Sequence, residues 1–547
     1  MKLKLNSLLN NRSIGYLVNI IGILILGMTI IRLLTVVGNF SAISVVNSGY
    51  NEIRDYVSFR LAHLFLMREN PYTFDNLTEL NVPFMCLYTP LYPGLVAIAC
   101  KLTGYSIVAG YYIVNIVLFI LTAFNMWLIL KEFFDNSRLV GVIVIAANVA
   151  TFFSLFGLPI LNFHSDTVGI FITSLIFLVL YKDRRKTWIL AILTVSLIFT
   201  KQILLVMAAP LFIYYLIVDR KLALKYMLQC IVCGLVTVAV VQILFPLYWT
   251  ETIYMQFAVS ESTGTLNHAL KNIGECYSRY LPYFVLSLIG IVISVVVGFV
   301  KKDLYTFKTN AKSIIKDKAY LIYLVLNIVI GTLSLLYFAR GYEDGYKYCQ
   351  DILAPSFFLL CALIWNGYTV KRLESIELGS STIKQGGAVI VLCCVTVTVC
   401  SHFSYRLYTK WDADTMVRLD SLLASYDGGT IYVGVNATPY MVNRNMWEPE
   451  ANVYFNDGQI EYFLKEAPDL PINGLFYEEE VIDAANEYAD RINGMVERRE
   501  FDVIAISVEN VIDMDILEDN YEEYKTFRVE TATNICYPVT VWVPIED

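Results

Sequence analysis

The chain has 547 residues, of which 57% are hydrophobic and only 16% charged, which excludes an ordinary soluble protein, where about half the residues are apolar and about a quarter charged. Its net charge of −8 conceals an asymmetry: residues 404–547 hold 10 Lys/Arg against 29 Asp/Glu, leaving 31 against 20 in the first 403. Such different compositions imply two domains in two solvents, 1–403 in the membrane and 404–547 in water, and neither carries the basic, aromatic-interleaved stripe of a nucleic-acid binder.

The apolar residues fall in long uncharged runs such as 14–31 and 226–248, each near or above the ~20 residues that cross a hydrocarbon core. No small-residue cleavage site follows the first, so it is expected to remain as an anchor. About eleven spans are expected, near 14–37, 107–130, 138–156, 166–181, 187–200, 203–218, 224–248, 280–300, 319–338, 352–369 and 387–403. Lys2 with Lys4, Lys131 with Arg138, Lys182–Lys186, Arg220 with Lys221, Lys301 with Lys302 and Lys371 with Arg372 then share one side. The positive-inside rule makes that side cytoplasmic. The N-terminus is therefore expected in the cytoplasm, and residues 404–547 outside it.

Between the first two spans, residues 38–106 form a long outer loop with a helical pattern of its own. Ile53, Val57, Leu61, Leu64 and Phe65 make an apolar stripe, with Glu52, Asp55 and Arg60 elsewhere on the helix surface. That pattern predicts a helix lying along the interface. Pro90–Leu102 is too short to span comfortably and predicts a second one. Residues 157–165, 249–279 and 339–351 are the other outward segments that are long or chemically loaded.

The acidic tail reads as a small α/β domain. Segments 429–435, 501–508 and 538–544 are rich in β-branched residues and predict strands, while 458–467 and 480–497 have helical periodicity. Its acidic runs, Glu478–Glu480 and Asp513–Glu523, read as solvated surface, and it holds no Gly-rich phosphate loop or metal-ligand cluster. The Cys230-x-x-Cys233 pair sits in mid-span without a second ligand pair, and both thiols read as small hydrophobes.

Ionisable residues collect at the outer edge of the expected spans. Glu52 and Asp55 lie one helical turn apart; His164 and Asp166 open a span; Lys201 and Gln202 interrupt two apolar runs. Arg340, Glu343, Asp344, Tyr346 and Lys347 crowd the loop before the tenth span. A charge at membrane depth costs several kcal/mol unless paired or hydrated, which makes each a functional candidate. Each also has a plainer reading: Lys201 as a lysine snorkelling from a helix end, Asp55 as a carboxylate on a polar helix face, Arg54 and Arg60 as structural partners for the acids.

The stretch Asp55–Tyr72, DYVSFRLAHLFLMRENPY, followed by Tyr88–Ala97, YTPLYPGLVA, resembles the first outer loop of GT-C membrane glycosyltransferases. That group includes protein O-mannosyltransferases and lipid A aminoarabinose transferases. His164-Ser165-Asp166, Phe199-Thr-Lys201-Gln202 and the GYEDGYKY of 341–348 resemble the same layout, so the likeness runs over most of 1–403. It implies a polytopic α-helical GT-C membrane domain with an extracytoplasmic α/β domain. It also implies an inverting transferase that takes a sugar from a polyprenyl-phosphate carrier to an extracytoplasmic glycan, lipid or protein acceptor. By resemblance Asp55 is the base, with Glu52 its rival because the acidic residue aligns only approximately. Lys201, Arg340 and Lys347 are phosphate contacts; His164 and Asp166 position sugar or acceptor; Gln202 and Tyr346 accompany them. No motif requires a nucleotide or metal, although a divalent ion stays open. The rivals are a transporter or lipid-linked glycan flippase, which should show broken helices at the midplane and internal repeats, and a non-enzymatic membrane protein whose acidic tail binds a partner.

Overall fold

The computed structural model describes residues 53–73, 89–104, 106–130, 165–254, 413–426, 428–434, 453–455, 479–507, 511–530 and 536–546, with the single positions 267 and 270. The spans expected at 14–37, 138–156, 280–300, 319–338, 352–369 and 387–403, and the helix at 458–467, lie outside the described residues.

The other expected spans are helical. They are α3 (Ile107–Leu130), α4 (Asp166–Asp183), α5 (Thr187–Ser196), α6 (Ala208–Val218) and α7 (Arg220–Leu244). The first outer loop contributes α1 (Ile53–Met67) and α2 (Leu91–Thr103). Helix α7 begins and ends four residues earlier than its hydropathy suggests. The Asp219 carboxylate accepts from the Lys221 and Leu222 amides at 3.0 and 3.3 Å, which fixes the start. Pro246 disfavours helical backbone at Phe245, which fixes the end. The helix is about 37 Å long by its rise. It turns Leu224, Leu228, Ile231, Leu235, Val236 and Ile243 outward, a side suited to lipid.

Helices α5 and α6 are the two legs of a hairpin. Between them the chain passes through two 3-10 turns, Leu197–Phe199 and Gln202–Met207. The Ser196 and Thr200 hydroxyls turn back onto the Leu193 and Leu197 carbonyls at 2.8 and 2.7 Å, competing with regular helix there. Helix resumes at Ala208, with Pro210 tolerated in its first turn. At the base the Tyr215 hydroxyl donates to the Arg184 carbonyl, so the chain returns to where it left. The hairpin packs on α7 and the segment after it: Thr194 Oγ1, near the end of α5, lies 2.9 Å from the Tyr226 hydroxyl, and the Phe199 and Tyr248 rings lie 6.0 Å apart at the turn. Both ends being tied in this way makes 187–218 a hairpin rather than one broken span.

Helix α1 corrects an expectation. Arg60 does not lie on an exposed face; it is 2% exposed, and Phe59, Leu61, Ala62 and Leu64 around it are also buried. Over 58–66 apolar residues run all the way round the helix, which is the signature of a helix covered by protein. The cover is α2 and α3: the Tyr111 hydroxyl donates to the Ser58 carbonyl at 2.6 Å, and the Tyr111 ring stacks edge-on against Phe59 and Tyr92. Helices α2 and α3 close on each other at Gly110, where a Cβ would overlap the Cys100 sulfur. Tyr92 donates to Asn115 across the same contact at 2.6 Å.

One turn beyond Arg60, His63 is 9% exposed. Burial, and then the neighbouring Arg60 charge, hold its imidazole down to about 4. The folded protein therefore favours the neutral ring. The stability this gives is complete above pH ~6.5, is lost as pH falls toward 4, and changes no further below that. We expect a loss of about 2 kcal/mol over this window, solvent screening having reduced the full shift. Thermal unfolding in detergent across pH 7 to 4 should show the loss in the wild type and not in His63→Gln.

In the tail, α8 (Ala413–Ala424), α9 (Glu479–Glu497) and α10 (Met514–Asn520) accompany five strands. These are β1 (Ile431–Val433), β2 (Val453–Phe455), β3 (Val503–Ile506), β4 (Tyr521–Glu530) and β5 (Cys536–Pro544). The sheet order is β2-β1-β3-β5-β4, parallel through β2, β1 and β3 and antiparallel from β3 onward. Tyr488, Ile492 and Val496 of α9 pack on Tyr432, Ile504 and Phe501 to form its core. Tyr521 fastens that core: its hydroxyl lies 3.1 Å from both the amide and the carbonyl of Phe501, and burial pushes its phenol up to about 12. Tyr521→Phe strands two buried backbone groups and should destabilise the sheet by about 1–3 kcal/mol. Faster hydrogen exchange in peptides covering β3 and β4 would show it, with the membrane helices unchanged.

Candidate active site

The turn of the α5–α6 hairpin is held from both sides. The Thr89 hydroxyl donates to the Thr200 carbonyl at 2.6 Å, and the Gln202 amide donates to the Thr252 carbonyl at 2.8 Å. Lys201, half-buried, stands between these two anchored residues. The end of α7 is tied to the same region by the segment that follows α1, since the Asn70 side-chain amide donates to the Leu244 carbonyl at 2.7 Å and the Leu247 amide donates to the Tyr72 carbonyl at 3.2 Å. The fully buried Tyr72 ring stands edge-on to Phe245 and Tyr248, at 5.5 and 5.1 Å between centroids. Tyr248 in turn meets Trp249 at 4.9 Å.

Three segments far apart in sequence therefore meet at one end of the hairpin: Asn70-Pro71-Tyr72, Thr89 at the head of α2, and Thr200-Lys201-Gln202. Each is buried or half-buried chain beside aromatic rings, and Asn70, Thr89 and Gln202 bond across elements through their side chains. Such a site can hold a cation and several amide or hydroxyl groups in fixed positions next to an apolar wall. That combination suits an amphiphile with a charged head.

Asp166 is the first residue of α4, where the helix dipole favours a carboxylate. Helix α4 packs against α5, to which the short turn before Thr187 joins it. Asp55 sits near the beginning of α1, about 18 Å of helical rise from Met67, whereas Asn70 and Tyr72 follow the end of that helix. Glu52, His164, Arg340, Tyr346 and Lys347 lie outside the described residues.

One residue was not singled out by sequence reasoning. Glu251 is 2% exposed, in the irregular turn Thr250–Tyr254 whose Thr252 receives Gln202. The signal available for it was an acid directly after a long apolar run, at the start of the loaded segment 249–279. Among the described residues no group of three His, Cys, Asp or Glu could hold a metal ion.

No protein-family model matches the chain, and no curated protein matches it in sequence. In three dimensions 95% of the chain aligns with 97% of the crystal structure of ArnT from Cupriavidus metallidurans bound to undecaprenyl phosphate, with a TM-score of 0.50. The chain has the GT-C fold. Identity over that alignment is 11%, so the likeness carries architecture and not residue roles. It agrees with the polytopic helical class expected from hydropathy.

Proposed function

We propose that this protein is a membrane glycosyltransferase that moves a sugar from a polyprenyl-phosphate carrier to an acceptor outside the cytoplasm. The observation that carries the reading is the fold likeness over nearly the whole chain to ArnT, a protein crystallised with undecaprenyl phosphate. The pinned Lys201 turn supports it independently, because a carrier phosphate needs a positioned cation and its chain needs an apolar wall.

In this reading the acceptor hydroxyl gives its proton to the Asp55 carboxylate as its oxygen bonds the anomeric carbon. The bond from that carbon to the carrier phosphate breaks on the opposite face, and the phosphate departs with the electron pair, inverting the configuration. Lys201, with Arg340 and Lys347, stabilises the charge that develops on the phosphate. His164, Asp166, Gln202 and Tyr346 orient sugar or acceptor, and Glu52 is the alternative base. The acidic tail stands on the acceptor side and shapes acceptor choice.

The test is transfer of sugar from radiolabelled polyprenyl-phosphate sugars by the purified protein in lipid nanodiscs. A labelled product that depends on the protein is expected. Failure with every donor, together with substrate-dependent transport into vesicles, would replace this reading with the transporter.

A further inference from the structure

At the base of the hairpin, opposite Lys201, the fold gathers two basic segments into one place. Tyr215 does this: its hydroxyl donates to the Arg184 carbonyl, while its ring lies 5.5 Å from Tyr226 of α7. The 182–186 turn is thereby held against the 218–221 turn. Lys182, Arg185, Lys186, Arg220, Lys221 and Lys225 are all exposed there, and Arg184 is half-buried. Among the described residues, the Asp183 carboxylate accepts from the Arg185 amide and that of Asp219 from the Lys221 amide, each at 3.0 Å.

An open cavity of about 550 Å³, lined by Leu216–Arg220, lies at the same end. Its lining passes from exposed Leu216 and Ile217 to the Arg220 cation, and on the other leg Trp188, 48% exposed, lies two residues after Lys186. A soluble phosphate would need the cations alone. Cations bordered by outward apolar side chains and an interfacial tryptophan fit a molecule with an anionic head and acyl chains.

We propose that this end of the hairpin binds the headgroup of an anionic phospholipid, bridging the 182–186 and 218–221 turns. The positive-inside bias accounts for the sign of the charge on this face. It does not account for two separate turns being fastened into one cationic surface beside an amphiphilic cavity.

The full chain is placed in nanodiscs of phosphatidylcholine containing phosphatidylglycerol or cardiolipin, extracted in mild detergent, and its retained lipids are measured by native mass spectrometry. Anionic lipid should be retained over phosphatidylcholine and released by high salt. Arg185→Gln/Lys186→Gln and Arg220→Gln/Lys221→Gln should each weaken retention about 30-fold, and combining them should add little, since one headgroup bridges both turns. Tyr215→Phe, which uncouples the turns without changing charge, should also weaken it. Equal retention of neutral and anionic lipid would overturn the proposal. So would strictly additive losses with Tyr215→Phe silent, which describe two independent charged turns, or release by millimolar inorganic phosphate, which describes a soluble-anion site.

Discussion

Asp55→Asn is expected to lower sugar transfer by about 10³-fold while leaving the protein folded and its apparent affinity for donor nearly unchanged. The substitution keeps size and hydrogen-bonding capacity and removes only the ability to take a proton. Asp55 is near the start of α1, where a carboxylate also favours the helix dipole by about 0.3–1 kcal/mol. The stability cost is therefore small against the kinetic one. Turnover should fall with KM for the donor steady, because proton removal belongs to the transition state and not to binding. The rival is tested in the same assay. If Glu52→Gln abolishes transfer and Asp55→Asn does not, the base is Glu52. If both variants turn over normally, neither residue takes the proton and the proposed mechanism fails.

How far the sequence could be read depended on what each signal measures. Hydropathy located α3, α4 and the hairpin well because a span must be long and apolar whatever it packs against. It misplaced α7 by four residues because capping by Asp219 and the stop at Pro246 are local backbone events that a hydropathy average blurs. Helix α1 was placed correctly in the chain and wrongly in its surroundings. The stripe drawn through Ile53, Val57, Leu61, Leu64 and Phe65 left Phe59, Ala62 and Leu66 uncounted, and with them the helix is apolar all round. Arg60 is buried because its neighbours are, not because of its own chemistry.

The same limit operated in the tail. β1, β3 and β5 were legible because β-branched residues fill their buried faces. β4, YEEYKTFRVE, reads as a charged surface segment, and its exposed Glu522, Glu523, Lys525 and Arg528 are what a sheet edge needs to avoid pairing with another chain. Only Tyr521 and Phe527 on its inner side disclose the strand. As for the candidate site, the order of its motifs was visible along the chain. The meeting of Asn70, Thr89 and Gln202 was not, since those contacts are side chain to backbone carbonyl and leave no pattern in composition.

Lys201→Met should reduce kcat/KM for the polyprenyl-phosphate donor by about 10²–10³-fold. The lysine stands on a stretch that departs from regular helix, between Thr200, whose carbonyl is held by Thr89, and Gln202, whose amide is held by Thr252. A cation fixed in that manner needs no rearrangement when charge develops on the leaving phosphate, which is why its removal is costly. A snorkelling lysine would behave differently. Methionine keeps most of the apolar stem, so Lys201→Met would then alter thermal stability slightly and leave turnover intact. Lys201→Arg retains charge with a different shape and should recover part of the rate. Thr89→Val and Gln202→Leu, which release the turn while leaving Lys201 in place, should each give a smaller loss, with the sensitivity to donor lowered alongside. Full activity in Lys201→Met would remove the phosphate contact from the mechanism, whatever the fate of Asp55.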